Sequence, residues 1–143
     1  MSFTTTKGNV SHYSTVDSYT GVTDADPHQL VQMLLDGALG KIAVVKGLMT
    51  RGEIAKKGEV IGQAISIIGG LRSSLDLSAG GELAANLDDL YEYMERRLLT
   101  ANLKNDVTIL DEVTTLLREI KAAWESIPQE SRTKPTADLS VVS

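Results

Sequence analysis

There is no cysteine in this 143-residue chain, which removes disulfides and thiolate metal sites from consideration and is compatible with a reducing compartment. Aromatic residues make up only 4% of the sequence against 42% hydrophobic overall, so a core must be built from Leu, Ile, Val, Ala and Met. Such a core favours packed helices over a β-sandwich. No apolar run approaches the ~18 residues that a membrane span needs. The opening MSFTTTKGNV also lacks the charged start and apolar stretch of a signal peptide. The expectation is a cytoplasmic protein with no direct membrane insertion. Net charge is −5, which argues against nucleic-acid binding, and the basic pairs Lys56–Lys57 and Arg96–Arg97 read as solvated helix faces.

Catalytic groups are equally scarce. His12 and His28 are the only histidines. His28 falls in the first turn of a helix, where it reads as a partly exposed or capping residue, while a phosphotransfer bundle wants an exposed histidine in mid-helix. A di-iron bundle needs Glu-x-x-His pairs, and the sequence has none. Asp88–Asp89 and Asp111–Glu112 are sequence neighbours, so a helix points the members of each pair about 100° apart rather than toward one another. GGLRSS and SAGGEL lack the lysine and the glycine spacing of a phosphate loop. The sequence supports neither an enzyme nor a cofactor.

What is present is helical periodicity. Asp26 is a plausible N-cap with Pro27 at the first helical position, and Leu30, Leu34, Ala38, Val45 and Leu48 then trace one stripe that ends near Gly52. A second helix is expected over residues 53–76. A third follows SAGGE, with Leu83, Leu87, Leu90, Met94, Leu98 and Ala101 on one face. A fourth, capped by Asn105 or Asp106, carries Ile109, Leu110, Val113, Leu116, Leu117, Ile120, Ala123 and Trp124 on one side. Short connections make consecutive helices antiparallel neighbours. The expected fold is all-α, an antiparallel up-down four-helix bundle over residues 26–127. Residues 1–25 form a flexible N-terminal arm, part of which can make a short cap helix. Residues 128–143 form a disordered tail holding two of the three prolines.

The second helix raises a question, because EVIGQAISIIGGLRSSLDL carries Gly62, Gly69 and Gly70, with Gly58 just before it. Each interior glycine costs a helix about 1 kcal/mol relative to alanine. On a helical wheel Val60, Ala64, Ile67, Ile68, Leu71 and Leu75 form one stripe, widened by Ile54, Ile61 and Ile65 to a face of roughly 160°. Ala55, Gly62 and Gly69 lie beside it at seven-residue spacing. The result is an isoleucine ridge bordered by a trench without side chains. Either a neighbouring helix of the bundle fills that trench, or it is a groove for a partner helix anchored at i, i+3 and i+4. Ile61, Ile65 and Ile68 would be the anchors of such a groove, and Gly62 and Gly69 its smooth wall. Tyr91, Tyr93 and Leu99 fall outside the main stripe of the third helix and would face it. In the arm, Val10, Tyr13 and Val16 are spaced to cover a groove when no partner is present, against the commoner outcome of an unstructured terminus.

DPHQLVQMLLDGAL, AISIIGGLRSSLDLSAGGELAANLDDLYEYMERRLLTANLKND and EVTTLLREIKAAW together closely resemble the FliS family, the flagellin-specific secretion chaperones, over most of the chain. One departure is Leu35, which stands where the family often has an aromatic before the DG of its first helix. The resemblance implies a cytosolic export chaperone that binds the disordered C-terminal segment of flagellin. Binding there would prevent premature filament polymerisation and keep flagellin competent for flagellar type III export. It also implies engagement of an export-gate component and, in some members, of other cytosolic flagellar regulators, with Tyr13 matching an N-terminal tyrosine of the partner surface. The alternative is a helical adaptor for a different flagellar export substrate or regulator. A phosphorelay bundle resting on His28 is the reading from another class.

Overall fold

Three of the four helices begin at an aspartate whose side chain caps them, and the N-cap of the other, Glu53, makes no side-chain cap bond. In the computed structural model, which describes residues 26–131, α1 is Pro27–Thr50, α2 Ile54–Ser73, α3 Leu77–Lys104 and α4 Val107–Glu125. Asp26 caps α1 through its side chain, which accepts from the Gln29 backbone N–H at 2.7 Å while the Gln29 side chain reaches back to Asp26 N, a full capping box. Asp76 and Asp106 cap α3 and α4 through their side chains alone, Asp76 accepting from the Ser78 and Ala79 N–H groups and Asp106 from the Thr108 N–H. Asn105 and Asp106 divide the work between them: Asn105 ends α3 in the left-handed region at φ 54°, and Asp106 starts α4. The third helix starts earlier than its leucines suggest, with a first turn at Leu77 interrupted by Gly81 at φ 60° and ψ −139°. Only glycine adopts that conformation without strain.

The contacts between helices fix an antiparallel ring. Lys57 near the start of α2 bonds to Asn102 and Asn105 near the end of α3, while Arg72 near the end of α2 pairs with Asp88 near the start of α3. Lys46 and Lys121 tie the two ends of α1 to α4, through Asp111 at 2.8 Å and Asp36 at 2.6 Å. Thus α1 packs on α2, α2 on α3, α3 on α4, and α4 returns to α1. This is the expected up-down four-helix bundle. Its centre is aliphatic, with Leu35, Ile42, Ile68, Met94, Leu98, Leu110 and Leu117 among the fully buried side chains. Burying each stabilises the fold by about 1.5–3 kcal/mol before the entropy of ordering is subtracted.

Two ends of the bundle now differ. At one end the chain enters through Asp26 and leaves past Ile127, Pro128 and a 3-10 turn at Gln129–Ser131. The described fold continues past the buried Ile127 into that turn. At the other end α1 turns into α2 and α3 into α4. The N-terminal arm with Val10 and Tyr13, and the tail beyond residue 131, lie outside the described residues.

Candidate functional site

The α3 and α4 helices pack tightly only over part of their length. Where they meet the α1–α2 pair, Ala84, Tyr91, Met94 and Leu98 of α3 and Ile109, Leu110, Val113 and Leu117 of α4 are buried. Toward the end where the chain enters and leaves, Leu83, Leu87 and Leu90 turn to the outer α4 side and meet Leu116, Ile120, Ala123 and Trp124. Ile127 and Pro128 close the end, and the result is a groove of about 430 Å³ whose only charged lining residue is Glu119. The register explains its walls. Successive leucines at 83, 87 and 90 and apolar residues at 116, 120 and 123 follow the i, i+3, i+4 rows that place side chains on one helix face. From the sequence, Leu83, Leu87, Leu90, Leu116, Ile120, Ala123 and Trp124 are expected to share the apolar faces of their helices, and Pro128 to open the tail.

A second apolar surface lies on α2 and α3 toward the opposite end. The Arg72–Asp88 and Lys57–Asn102 contacts set a register that places Gly62 level with Leu99, and Gly58 level with Leu103. Gly62 is exposed, and a Cβ built there or at Gly58 meets nothing within 4 Å. No neighbouring helix fills the trench at these two positions. Leu99 is 52% exposed, Leu103 85% and Ile54 58%, an apolar rim around a smooth floor. Ile65 is half-buried along the same side of α2. Gly69, farther along, has the Glu95 carboxylate 3.6 Å from where its Cβ would be.

Four of the expected partner residues sit elsewhere, the anchors Ile61 and Ile68 and the facing residues Tyr91 and Tyr93. Ile61 and Ile68 are 2% and 0% exposed and belong to the central cluster, so they present no surface in this conformation. Tyr91 is also in the core rather than outside the α3 stripe, because the three leucines at 83, 87 and 90 mark the groove side of that helix and not its centre. Tyr93 points toward α4, where its hydroxyl donates to Glu112, so it does not face the trench. Of the expected set, the structure brings Gly62, Ile65, Gly69 and Leu99 to one face. Tyr13 lies outside the described residues.

The polar groups around these surfaces are tied to one another. Glu112 accepts from both Tyr93 and Arg97, and these bonds, Tyr93 first, hold its carboxyl below the usual range. The Arg72 guanidinium spans Asp88 and Glu95 on α3, and its bonds lower the Asp88 carboxyl in turn. These are bracing contacts between helices. His28 is not the partly exposed residue its position suggested. It is 2% exposed and stacked on Trp124 with ring centroids 4.8 Å apart. Its Nε2–H donates to the Trp124 carbonyl and Trp124 Nε1–H donates to the His28 carbonyl, both at 2.9 Å. That ring offers no exposed nitrogen to a phosphoryl donor. Among the described residues no three His, Asp or Glu side chains converge as metal ligands would, and no helix is long and apolar enough to cross a membrane. What the geometry provides is binding surface.

Comparison with known proteins agrees with that character. Residues 9–131 match the family described as flagellar protein FliS. A flagellar secretion chaperone of Pseudomonas aeruginosa, FliSB, is 51% identical over 118 residues, covering 82% of this chain and 94% of the relative. The FliS chaperone of Vibrio cholerae is 40% identical over 135 residues, covering 94% of this chain and 99% of its own length. That of Bacillus subtilis is 33% identical over 111 residues, 78% of this chain and 82% of the relative. With its four-helix bundle, its apolar surfaces and these matches, the chain belongs to the FliS family of flagellar secretion chaperones, proteins that bind rather than catalyse.

Proposed function

We propose that this chain holds the C-terminal segment of flagellin in the cytosol, keeps it from polymerising early, and delivers it to a component of the flagellar type III export gate. The observation that carries the reading is the α3–α4 groove, about 430 Å³ and lined almost wholly by Leu, Ile, Ala, Trp and Pro, in a member of a secretion-chaperone family. The spacing of its walls suits an amphipathic helix that lays an apolar face between two others. The open floor at Gly58 and Gly62, with Ile54, Leu99 and Leu103 around it, supplies a second contact. The two surfaces lie toward opposite ends of the bundle, so a segment touching both must be long and wrap around α3. A disordered segment does this readily: ordering it costs about 2–5 kcal/mol or more, and burial on the order of 1,000–3,000 Å² offsets that cost. Tyr13 in the arm completes the partner surface. Holding requires no nucleotide, and release follows from competition at the export gate.

Titration calorimetry with a peptide from the flagellin C-terminus of the same organism tests this directly. Saturable one-to-one binding with a negative heat-capacity change is expected. Ala123→Glu places a carboxylate on the groove wall at an exposed residue and should weaken binding about tenfold or more with the melting temperature nearly unchanged. A folded protein that leaves the peptide unbound overturns the reading. An affinity untouched by Ala123→Glu removes the groove from it.

A further inference from the structure

The two lips of the α3–α4 groove carry charge of one sign. Glu82, Asn86, Asp89 and Tyr93 follow one another at steps of four, three and four, so they form one row on α3. Glu82, Asn86 and Asp89 immediately precede Leu83, Leu87 and Leu90, which sets that row about 100° round from the groove wall, toward solvent. On α4, Glu112 and Glu119 are seven apart and share a second row. The hydrogen bond from Tyr93 to Glu112 turns the two rows toward one another, and Arg97 reinforces the bridge at 2.9 Å. This bridge stands one turn beyond Leu90 and Leu116, where the groove lining stops. On its open side the rows part, leaving Glu82 and Asp89 exposed on one lip and Glu119 on the other. Among the described residues none of these three carboxylates has an ion-pair partner. The nearby cations are engaged elsewhere: Arg72 with Asp88 and Glu95, Arg97 with Glu112, and Lys121 with Asp36 and Glu125. Arg118 lies two residues from both Leu116 and Ile120, on the far side of α4.

We propose that this groove selects a basic amphipathic helix, its apolar stripe on the groove wall and its Lys or Arg edges against the two lips. This rests on, and sharpens, the reading of the groove as the place where an export substrate binds. The lips set the spacing. Glu82 and Asp89 lie roughly 10 Å apart along α3 at 1.5 Å per residue. Equal steps along two antiparallel helices from the Tyr93–Glu112 contact bring Glu119 level with Asn86, between the two. The matching helix therefore has two cations about seven residues apart on one edge and a third midway along the other. The apolar wall supplies most of the affinity, whereas rim charges set the encounter rate and the choice of partner. Exposed pairs are weak one at a time. Three carboxylates within about a screening length of one another act together, and they repel a helix with acidic edges. They also repel a second copy of this chain, whose net charge is −5.

Two synthetic helices of roughly five turns, with the same leucine stripe and either Lys or Glu at the three edge positions, test this by fluorescence anisotropy against the full chain. At neutral pH and about 50 mM salt the Lys-edged helix should bind about tenfold tighter or more than the Glu-edged one, and the preference should shrink several-fold at about 0.5 M. Glu82→Gln, Asp89→Asn and Glu119→Gln together should remove most of that preference. Their melting temperature should stay nearly unchanged, since all three side chains are exposed. Glu53→Gln, Glu92→Gln and Asp111→Asn remove the same charge away from the groove and should preserve the preference. Equal binding of the two helices by the parent chain overturns the proposal. So does an equal loss of preference in both triple variants, which would mean attraction to net charge alone. The flagellin C-terminal peptide separates this proposal from the flagellin reading. It should bind the groove-lip variant about tenfold more weakly than the parent at low salt. If it binds both alike, the lips take no part and the proposal falls while the flagellin reading stands. If it stays unbound by a chain that still prefers the Lys-edged helix, the flagellin reading falls, and the preference of the groove holds for another export substrate.

Discussion

The Tyr91 hydroxyl lies in an aliphatic interior, 3% exposed, and burial pushes its ionisation up to about 12 from an ordinary value of 10. Among the described residues it meets no hydrogen-bond partner, so the ring contributes packing and the oxygen contributes little. Below pH 10 both folded and unfolded chains keep the phenol proton, and the stability from burying the neutral ring is fully present. As the pH rises from 10 toward 12 the unfolded chain loses that proton and the folded chain keeps it, so stability falls. A shift of that size corresponds to roughly 2–3 kcal/mol. Tyr91→Phe should therefore change stability by less than about 1 kcal/mol at pH 7 and flatten the loss between pH 10 and 12. Urea midpoints measured across that range decide it, and a variant as alkali-sensitive as the parent would show that Tyr91 does not titrate on unfolding. The position was hard to read from sequence. Leu83, Leu87 and Leu90 imitate the centre of an α3 stripe, when they are its edge, and a tyrosine beside such a run looks like a surface residue.

Along α2, the glycines separate what the fold needs from what it tolerates. Gly58 and Gly62 have open space where a Cβ would go, Gly69 would touch Glu95 at 3.6 Å, and Gly70 would touch Leu34 at 3.8 Å, both ordinary contacts. None of the four has a positive φ. Packing within the bundle thus gives no reason for glycine at any of them. Gly62→Ala should stabilise the folded state by about 0.5–1 kcal/mol. Gly62→Leu should leave the bundle folded and weaken the flagellin peptide several-fold, because it fills the floor between Ile54, Leu99 and Leu103. Denaturant midpoints and calorimetry on the two variants separate the effects. A leucine that costs stability and binding alike would mean the surface is packed in solution. At this scale the sequence was informative: period, caps and breakers located all four helices, and the glycine spacing marked a trench that could be either filled by a neighbouring helix or open, which the structure shows open at Gly58 and Gly62. What it left out was direction. A wheel states which residues share a face of one helix but not which face meets which neighbour, so Ile61 and Ile68 were placed on a groove when they point inward. The α4 stripe, wide enough to serve a core and a groove together, carried the missing signal in Leu116, Ile120, Ala123 and Trp124.

The molecule as a whole depends on closing the ring between its first and last helices. Three of the four helix pairs are joined by short turns, whereas α1 and α4 are brought together only by contacts between residues far apart in sequence. At the end carrying the groove those contacts include the His28–Trp124 stack with its two reciprocal hydrogen bonds, the Gln32–Glu125 bond at 2.9 Å and the Asp36–Lys121 ion pair at 2.6 Å. Trp124 therefore has two tasks, since one face of the indole braces α1 and the ring also forms groove wall. Ring closure and groove shape are coupled through that side chain. Removing the imidazole by His28→Ala deletes the stack and the Nε2–H bond to the Trp124 carbonyl, which keeps the 3.3 Å bond from the Ile127 N–H, a loss of about 2 kcal/mol. For a domain of this size that lowers the melting temperature by roughly 6–12 °C. Because all four helices share one core, the loss should appear as a single transition, with the same midpoint by circular dichroism and by fluorescence of the sole tryptophan. The flagellin peptide should also bind His28→Ala more weakly, since an indole that has lost its stacking partner and keeps only its Nε1–H bond to the backbone carbonyl of residue 28 holds the groove wall less firmly. Two separated midpoints, fluorescence first, would mean that the groove end opens on its own. The groove would then be a local unfolding unit and not a face of the closed bundle.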